Sequence, residues 1–248
     1  MGRTIYIVGE DHAKADQTDL KVSILSVARE YGITDFMIFD EHSVPSIRVT
    51  PRRTVSSVPV PPPIEKLEQL FWILHHTAQL KEELDADLID QFVLLVENVY
   101  GETIPPPEIE LHLPRIFEEC KRQILDACAA THERTTKIQA YIQDLTLEDL
   151  VVDQTFGSAM FQTYVLVEKA MVQNVVREDA DASPDTAFIV VVGEDHVDAI
   201  ELRLLTANPE FIVYTIHEHE KDMKMDIQKY KLALGKGIRK RNTKKSRS

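Results

Sequence analysis

The sequence predicts an α/β fold in which helices flank a central, mostly parallel sheet and a large helical insertion interrupts the chain. Short apolar runs rich in β-branched residues alternate with segments whose apolar residues recur at helical spacing. The first such alternation has the length of a strand–helix–strand unit, which pairs its strands in parallel through a right-handed crossover. A chain of 248 residues with 44% apolar residues can bury a substantial core as one large domain.

The first unit predicts a strand at residues 4–8, a helix after it and a second strand at residues 36–39. The first strand runs into Gly9-Glu10-Asp11-His12, and the second ends in Asp40-Glu41-His42. Ligands of parallel sheets bind beyond the C-terminal ends of the strands. We therefore expect His12 and Glu41 at the same edge of the sheet.

The middle of the chain predicts a long loop followed by helices. Residues 43–63 are rich in proline and lack periodicity, so we expect a loop, either a lid over the site or a disordered excursion. Residues 64–143 are predicted to be a helical insertion, with one helix at 64–99 that breaks near Asp85 and one long helix at 115–143. This insertion would roof the site or carry a dimer contact.

The last part of the chain completes a single domain over residues 1–234. Its central strand, at residues 188–192, runs into Gly193-Glu194-Asp195-His196, a second copy of the tetrapeptide at 9–12. The remaining predicted elements are helices at 158–177, 196–206 and 221–233 and a strand at 211–216. His217-Glu218-His219-Glu220 has the composition of a metal site, but alternation at the exit of an edge strand explains it better.

The repeated tetrapeptide is the main indication of a functional site. If the residues after each Gly stay extended, Glu10 and His12 share one face, as do Glu194 and His196. Two such ends side by side would place imidazoles and carboxylates around one point, which suits a metal or an acid–base site. One copy alone is typical of an ordinary polar turn, whereas the exact repeat in one setting is harder to explain that way.

A geometric prediction follows from this repeat. Parallel strands in a sheet lie about 4.8 Å apart, so two adjacent strands would bring the side chains of His12 and His196 within about 10 Å of each other. Glu41 should line the same pocket, and Lys169 should reach it from the preceding helix. A chance repetition of a turn sequence would have no reason to converge in this way.

At these residues the sequence resembles the TraB/Tiki family and its broader relatives, the erythromycin esterases and the haem-binding ChaN-type proteins. Tiki-like proteins have two Gly-x-x-His motifs at strand ends and an acidic residue that ends the strand after the first motif. They also carry a basic residue on a helix before the second motif. Here the acid is Glu41 or Asp40, and Lys169 stands where the family usually has Arg. The resemblance covers residues 1–42 and 158–215.

The resemblance implies a hydrolase, either a metal-dependent peptidase or an esterase. His12 and His196, with Glu41, would bind a divalent metal (Mn²⁺, Co²⁺ or Zn²⁺) or act directly as general base, helped by Glu10 or Glu194. Lys169 would stabilise developing negative charge. One alternative is a binding module without catalysis, in which His12, His42 or His196 holds haem iron. Another is an interaction protein that works through the helical insertion and the basic tail.

Composition and charge narrow the partners. The net charge is −13, and because the tail at 235–248 contributes +7, the rest of the chain carries −20. An acidic body is a poor binder of nucleic acid, so we expect a small-molecule or peptide substrate and no nucleic acid except through that tail. An oligomer is compatible with this composition. The tail is predicted to be a disordered end, and it is also a candidate nuclear signal.

The expected compartment is the cytoplasm. We find no apolar run long enough to span a bilayer, and the first apolar run is too short for the core of a signal peptide. Cys120 and Cys128 lie eight residues apart on a predicted helix, too far along it to bridge each other, which favours reduced thiols.

Overall fold

The computed structural model describes residues 2–10, 17–41, 47–50, 53–131 and 133–217. Within these residues, five strands form one all-parallel sheet, and two short strands form a separate antiparallel pair. The predicted α/β fold with a parallel sheet is therefore confirmed. The strands are β1 (Thr4–Glu10), β2 (Phe36–Asp40), β3 (Ile47–Thr50), β4 (Arg53–Val55), β5 (Ser57–Pro59), β6 (Ala187–Gly193) and β7 (Ile212–Ile216).

The helices lie on both faces of the sheet, whose strand order is β5-β2-β6-β1-β7. In chain order the α-helices among the described residues are α1 (Gln17–Glu30), α2 (Pro62–Glu82), α3 (Ala86–Tyr100), α4 (Ile109–Ala130), α5 (Thr136–Gln143), α6 (Gln154–Asp181) and α7 (Val197–Ala207). The helices α2 to α6 form the insertion between β5 and β6. None of the described helices has the length and apolar content needed to cross a membrane.

Alternate side chains of each central strand enter two different cores. In β1, Ile5 and Ile7 pack with the insertion helices and α7, whereas Tyr6 and Val8 pack with α1. The crossover from β1 to β2 and the crossover from β6 to β7 run in opposite directions across the sheet. Right-handed connections of opposite direction require helices on opposite faces, which is where α1 and α7 lie.

The break predicted near Asp85 is confirmed. Helix α2 ends at Glu82, and the Asp85 side chain accepts a hydrogen bond from the Leu88 amide at 3.0 Å, which caps the start of α3. Satisfying an amide that has no partner within the helix favours a new helix start at this position.

The long helix predicted at 115–143 is wrong, because the chain turns between α4 and α5. The Thr131 hydroxyl accepts a hydrogen bond from the Glu133 amide at 3.2 Å. A short polar side chain that bonds to nearby backbone in this way competes with helical hydrogen bonding. The turn allows α5 to pack against α6.

The loop predicted over 43–63 is also wrong for its described part. Strands β3 and β4 pair antiparallel, and β5 adds a parallel edge strand next to β2, with Asp40 opposite Pro59. Proline is tolerated on an edge strand because its missing N–H need not face a neighbour. The predicted helix at 221–233 and the tail at 235–248 lie outside the described residues.

Arg3 joins the start of β1 to the loop before β6. Its guanidinium is buried, bonds Asp179 Oδ1 at 2.6 Å and the Thr186 carbonyl at 2.8 Å, and lies 4.6 Å from the centre of the Phe188 ring. It also donates to the carbonyls of Ala182 and Ser183. One side chain therefore satisfies several backbone carbonyls of the segment between the end of α6 and the start of β6.

We expect Arg3→Ala to lower the free energy of unfolding by about 2–3 kcal/mol, because buried acceptors and Asp179 lose a charged donor. Chemical denaturation would measure the loss. Arg177→Ala is the matched control, because Arg177 is an exposed arginine on α6, the helix that carries Asp179. This substitution should change the free energy of unfolding by less than about 0.5 kcal/mol. Equal effects of the two substitutions would show that the Arg3 contacts contribute nothing.

Candidate metal centre

The two tetrapeptides leave adjacent strands at the same edge of the sheet. Strands β1 and β6 pair in parallel, with Glu10 opposite Gly193. The adjacency of the two motif-bearing strands, on which the predicted convergence of His12 and His196 depends, is therefore present.

The two copies nevertheless differ in backbone conformation. Strand β1 continues through Glu10, whereas the chain after Gly193 turns at once into a single 3₁₀ turn at Glu194–His196. The Val197 amide closes this turn by donating to the Glu194 carbonyl. The expectation that Glu194 and His196 share one extended face is therefore wrong.

Gly9 of the first copy makes room for the second copy. A Cβ at this position would overlap the Glu194 carboxylate and come within 3.0 Å of Val197 Cγ2. The Glu194 carboxylate itself bonds His217 Nδ1 at 2.6 Å, and His217 Nε2 lies 3.7 Å from Asp198. His217 directly follows β7, an edge strand as predicted, and residues 218–220 lie outside the described part of the chain.

His196 is the centre of a buried polar cluster at this edge. Its side chain is 3% exposed, and Nε2 lies 3.3 Å from Glu68 Oε1 and 3.8 Å from Glu41 Oε1. Glu41 follows β2 directly, and its Oε2 accepts a hydrogen bond from the Gly193 amide at 2.9 Å. The second motif therefore supplies both the imidazole and a backbone donor that orients Glu41.

Glu68 was not predicted from the sequence. It lies on α2 and is buried between Ile64, Leu67 and Phe71. An acidic residue on the apolar face of an amphipathic helix is the pattern that could have identified it, because an unpaired carboxylate there is costly. The helical insertion therefore contributes a side chain to the site.

The other imidazole nitrogen of His196 faces Glu168. Nδ1 lies 3.4 Å from Glu168 Oε1, and Arg203 Nε donates to Glu168 Oε2 at 2.8 Å. The ring edge of Tyr164, one turn before Glu168 on α6, meets the imidazole with centroids 4.8 Å apart. The imidazole is thus held between Glu68 and Glu41 on one side and Glu168 on the other.

Lys169 has a different environment from the one predicted. Its ammonium pairs with Glu133 at 2.7 Å, and its side chain is 45% exposed. Successive residues of a helix point about 100° apart. Glu168 therefore points from α6 toward His196, in the position that was predicted for Lys169.

The remaining predicted residues have these positions. Glu10 is buried at the end of β1, and Glu194 contacts His217. His12 and His42 lie outside the described residues, so the convergence of His12 with His196 stays a prediction.

The pKa values of Glu68 and His196 are both raised within the cluster. Burial, together with the neighbouring Glu41 carboxylate, raises the pKa of Glu68 to about 8. Burial opposes the charged form of His196, but hydrogen bonds to Glu168 and Glu68 and the charge of Glu41 outweigh it and raise the pKa of His196 to about 10. Without a cation, the cluster therefore retains protons at neutral pH.

The donor set fits a divalent metal ion. One ligand atom from each of Glu41, Glu68 and His196 lies within 4.8 Å of the others, and Glu68 Oε2 is buried with no hydrogen-bond partner among the described residues. Ligands about 2.1 Å from an ion lie about 3.0–3.4 Å apart in octahedral or tetrahedral arrangements. The distance of 3.3 Å between His196 and Glu68 meets that condition, and the distance of 3.8 Å to Glu41 is slightly longer.

No family model, curated protein or solved structure matches the chain. The resemblance to the TraB/Tiki family therefore depends on the motif residues alone. The functional argument consequently starts from the geometry of the cluster.

Proposed function

We propose that this protein is a metal-dependent hydrolase acting on a small-molecule or peptide substrate. Glu41, Glu68 and His196 hold the ion, and His12 of the neighbouring motif is an additional ligand. The observation that carries this proposal is the convergence of two buried carboxylates on one imidazole nitrogen, with Oε2 of Glu68 accepting no hydrogen bond from any residue that the structure describes. Oxygen and imidazole ligands together suit Mn²⁺, Co²⁺ or Zn²⁺.

Three elements bring the ligands together: Glu41 at the end of β2, Glu68 on α2 and His196 before α7. The Gly193 amide orients Glu41, and Glu168 orients His196. A divalent ion here would supply Lewis-acid activation of water and of a substrate carbonyl. Glu10 or Glu194 would accept the proton that the activated water loses. The resemblance to TraB/Tiki hydrolases agrees with such chemistry.

Haem binding, the alternative function, is less favoured by this geometry. Haem iron at Nε2 of His196 would have to replace the contacts with Glu68 and Glu41, which lie 3.3 and 3.8 Å from that nitrogen. Two buried carboxylates favour a hard divalent cation over a porphyrin, which brings its own carboxylates. Addition of haem should therefore produce no Soret shift that depends on His196.

The metal-binding part of the proposal predicts a large effect of Glu68→Gln. The substitution keeps the shape of the side chain but removes an anionic ligand. Affinity for Mn²⁺, Co²⁺ or Zn²⁺ should fall by more than about 100-fold, the upper end of the loss seen for outer-shell partners. Isothermal titration calorimetry of the metal-free protein measures it.

Glu65→Gln is the matched control, because Glu65 lies one turn earlier on the same helix and bonds Gln69 at 3.4 Å. It should leave metal affinity unchanged. Equal affinities of wild type and Glu68→Gln would contradict the ligand set. Hydrolysis of model esters and peptides, with and without chelator, then tests catalysis: metal binding without hydrolysis of any substrate would leave a binding module.

A further inference from the structure

The Nδ1 side of His196, opposite Glu41 and Glu68, also contacts an ordered set of polar side chains. Glu168 is buried, and its two carboxylate oxygens have separate partners. Oε1 lies 3.4 Å from His196 Nδ1, and Oε2 accepts from Arg203 Nε at 2.8 Å. Glu168 on α6 therefore contacts the turn that precedes α7 and, through Arg203, α7 itself, so both contacts are set by the packing of these two helices.

We infer that Glu168 and Arg203 form a positioning pair, which fixes the ring orientation and the tautomer with which His196 binds the metal. The inference rests on the proposed metal centre and assigns a role to two residues outside the ligand set. A neutral imidazole that binds an ion through Nε2 must carry its proton on Nδ1. Glu168 Oε1, 3.4 Å from Nδ1, is placed to accept a hydrogen bond from that N–H.

Arg203 fixes the carboxylate in turn. By occupying Oε2 at 2.8 Å, it leaves Oε1 directed at the imidazole. Carboxylates that accept a hydrogen bond from a metal-binding histidine also make the ring a stronger ligand. Tyr164, whose ring edge contacts the imidazole, restricts rotation of the ring.

The arrangement also explains the charge pattern of α6. Glu168 and Lys169 are adjacent, yet Glu168 points to the site and Lys169 pairs with Glu133 near the surface. The basic group that balances the site comes from Arg203 on α7. It acts through Glu168, which separates it from the imidazole, so its role is in positioning.

The test is a Co²⁺ titration of the metal-free protein, followed by visible absorption. Glu168→Gln should weaken Co²⁺ binding about 10- to 100-fold and change the position or intensity of the d–d bands. Arg203→Ala should give a smaller loss in the same direction, and Arg203→Lys should recover part of it. Glu178→Gln is the control, because Glu178 lies on the same helix and bonds Arg177 far from the imidazole.

The outcomes separate this inference from the function on which it rests. If wild type and Glu168→Gln bind Co²⁺ with equal affinity and identical spectra, while Glu68→Gln loses binding, the positioning pair is refuted and the metal centre stands. If wild type binds no Co²⁺, both are refuted. Thermal melting of the metal-free variants detects loss of folding. If Glu168→Gln does not fold, Arg203→Ala and Arg203→Lys provide the test, because the Arg203 side chain is partly exposed.

Discussion

His196→Ala should abolish metal binding and lower the free energy of unfolding of the metal-free protein by about 3–5 kcal/mol. The imidazole is the group that contacts Glu41, Glu68 and Glu168, all of which are buried. Its removal leaves carboxylates that face one another without the positive charge between them. Arg203 pairs with Glu168 at 2.8 Å and so compensates that carboxylate, on the side away from Glu41 and Glu68.

The expected loss corresponds to a fall in melting temperature of about 10 °C for a chain of this size. His112→Ala is the control, because His112 lies on the surface of α4 beside Glu108. It should change the melting temperature by no more than about 2 °C. A stable His196→Ala protein that still binds Mn²⁺ would contradict both the metal centre and the charge balance drawn here.

Much of the sheet could be predicted because its strands are encoded locally. The β-branched runs that form β1 and β6 are buried on both faces, and such runs are typical of central parallel strands. Glu41 and His196 could be located for the same reason, since each follows a strand end. Strand β5 could not, because its proline conceals an edge strand that only pairing with β2 defines.

The rest of the site depends on tertiary packing. Glu68 comes from a helix with no motif, and it enters the site because the tertiary packing of α2 brings its carboxylate within 3.3 Å of His196. The choice between Glu168 and Lys169 depends on a rotation of about 100° along α6, which periodicity alone does not fix to one residue. The conformational difference between the two tetrapeptides arises from the 3₁₀ turn after Gly193.

The stability of the metal-free protein should fall as the pH rises from about 5 to 10. Both Glu68 and His196 have folded-state pKa values above their ordinary ones, about 8 and about 10, so the folded state binds more protons than the unfolded chain across this range. A group with a raised pKa stabilises the fold fully below its unfolded value, and that stabilisation is lost as the pH passes through the folded value. Burial opposes the charged form of Glu168, but hydrogen bonds to His196 and Arg203 outweigh it and lower the pKa of Glu168. Its stabilisation is therefore present across this range and is lost only as the pH falls below the ordinary glutamate pKa.

We expect a loss on the order of 2–4 kcal/mol between pH 5 and pH 10, measured by denaturation in the presence of chelator. Because a metal ion replaces the same protons, its affinity should rise over that range. Mn²⁺ at about 100 times its dissociation constant would then restore about 2.7 kcal/mol. Glu68→Gln should remove the slope below the ordinary His pKa of 6.5, where His196 contributes none, reduce it from there to about pH 8, and remove the recovery by Mn²⁺. If the variant keeps the wild-type slope, Glu68 is not the group that loses its proton, and the assignment of the buried protons in this cluster is wrong.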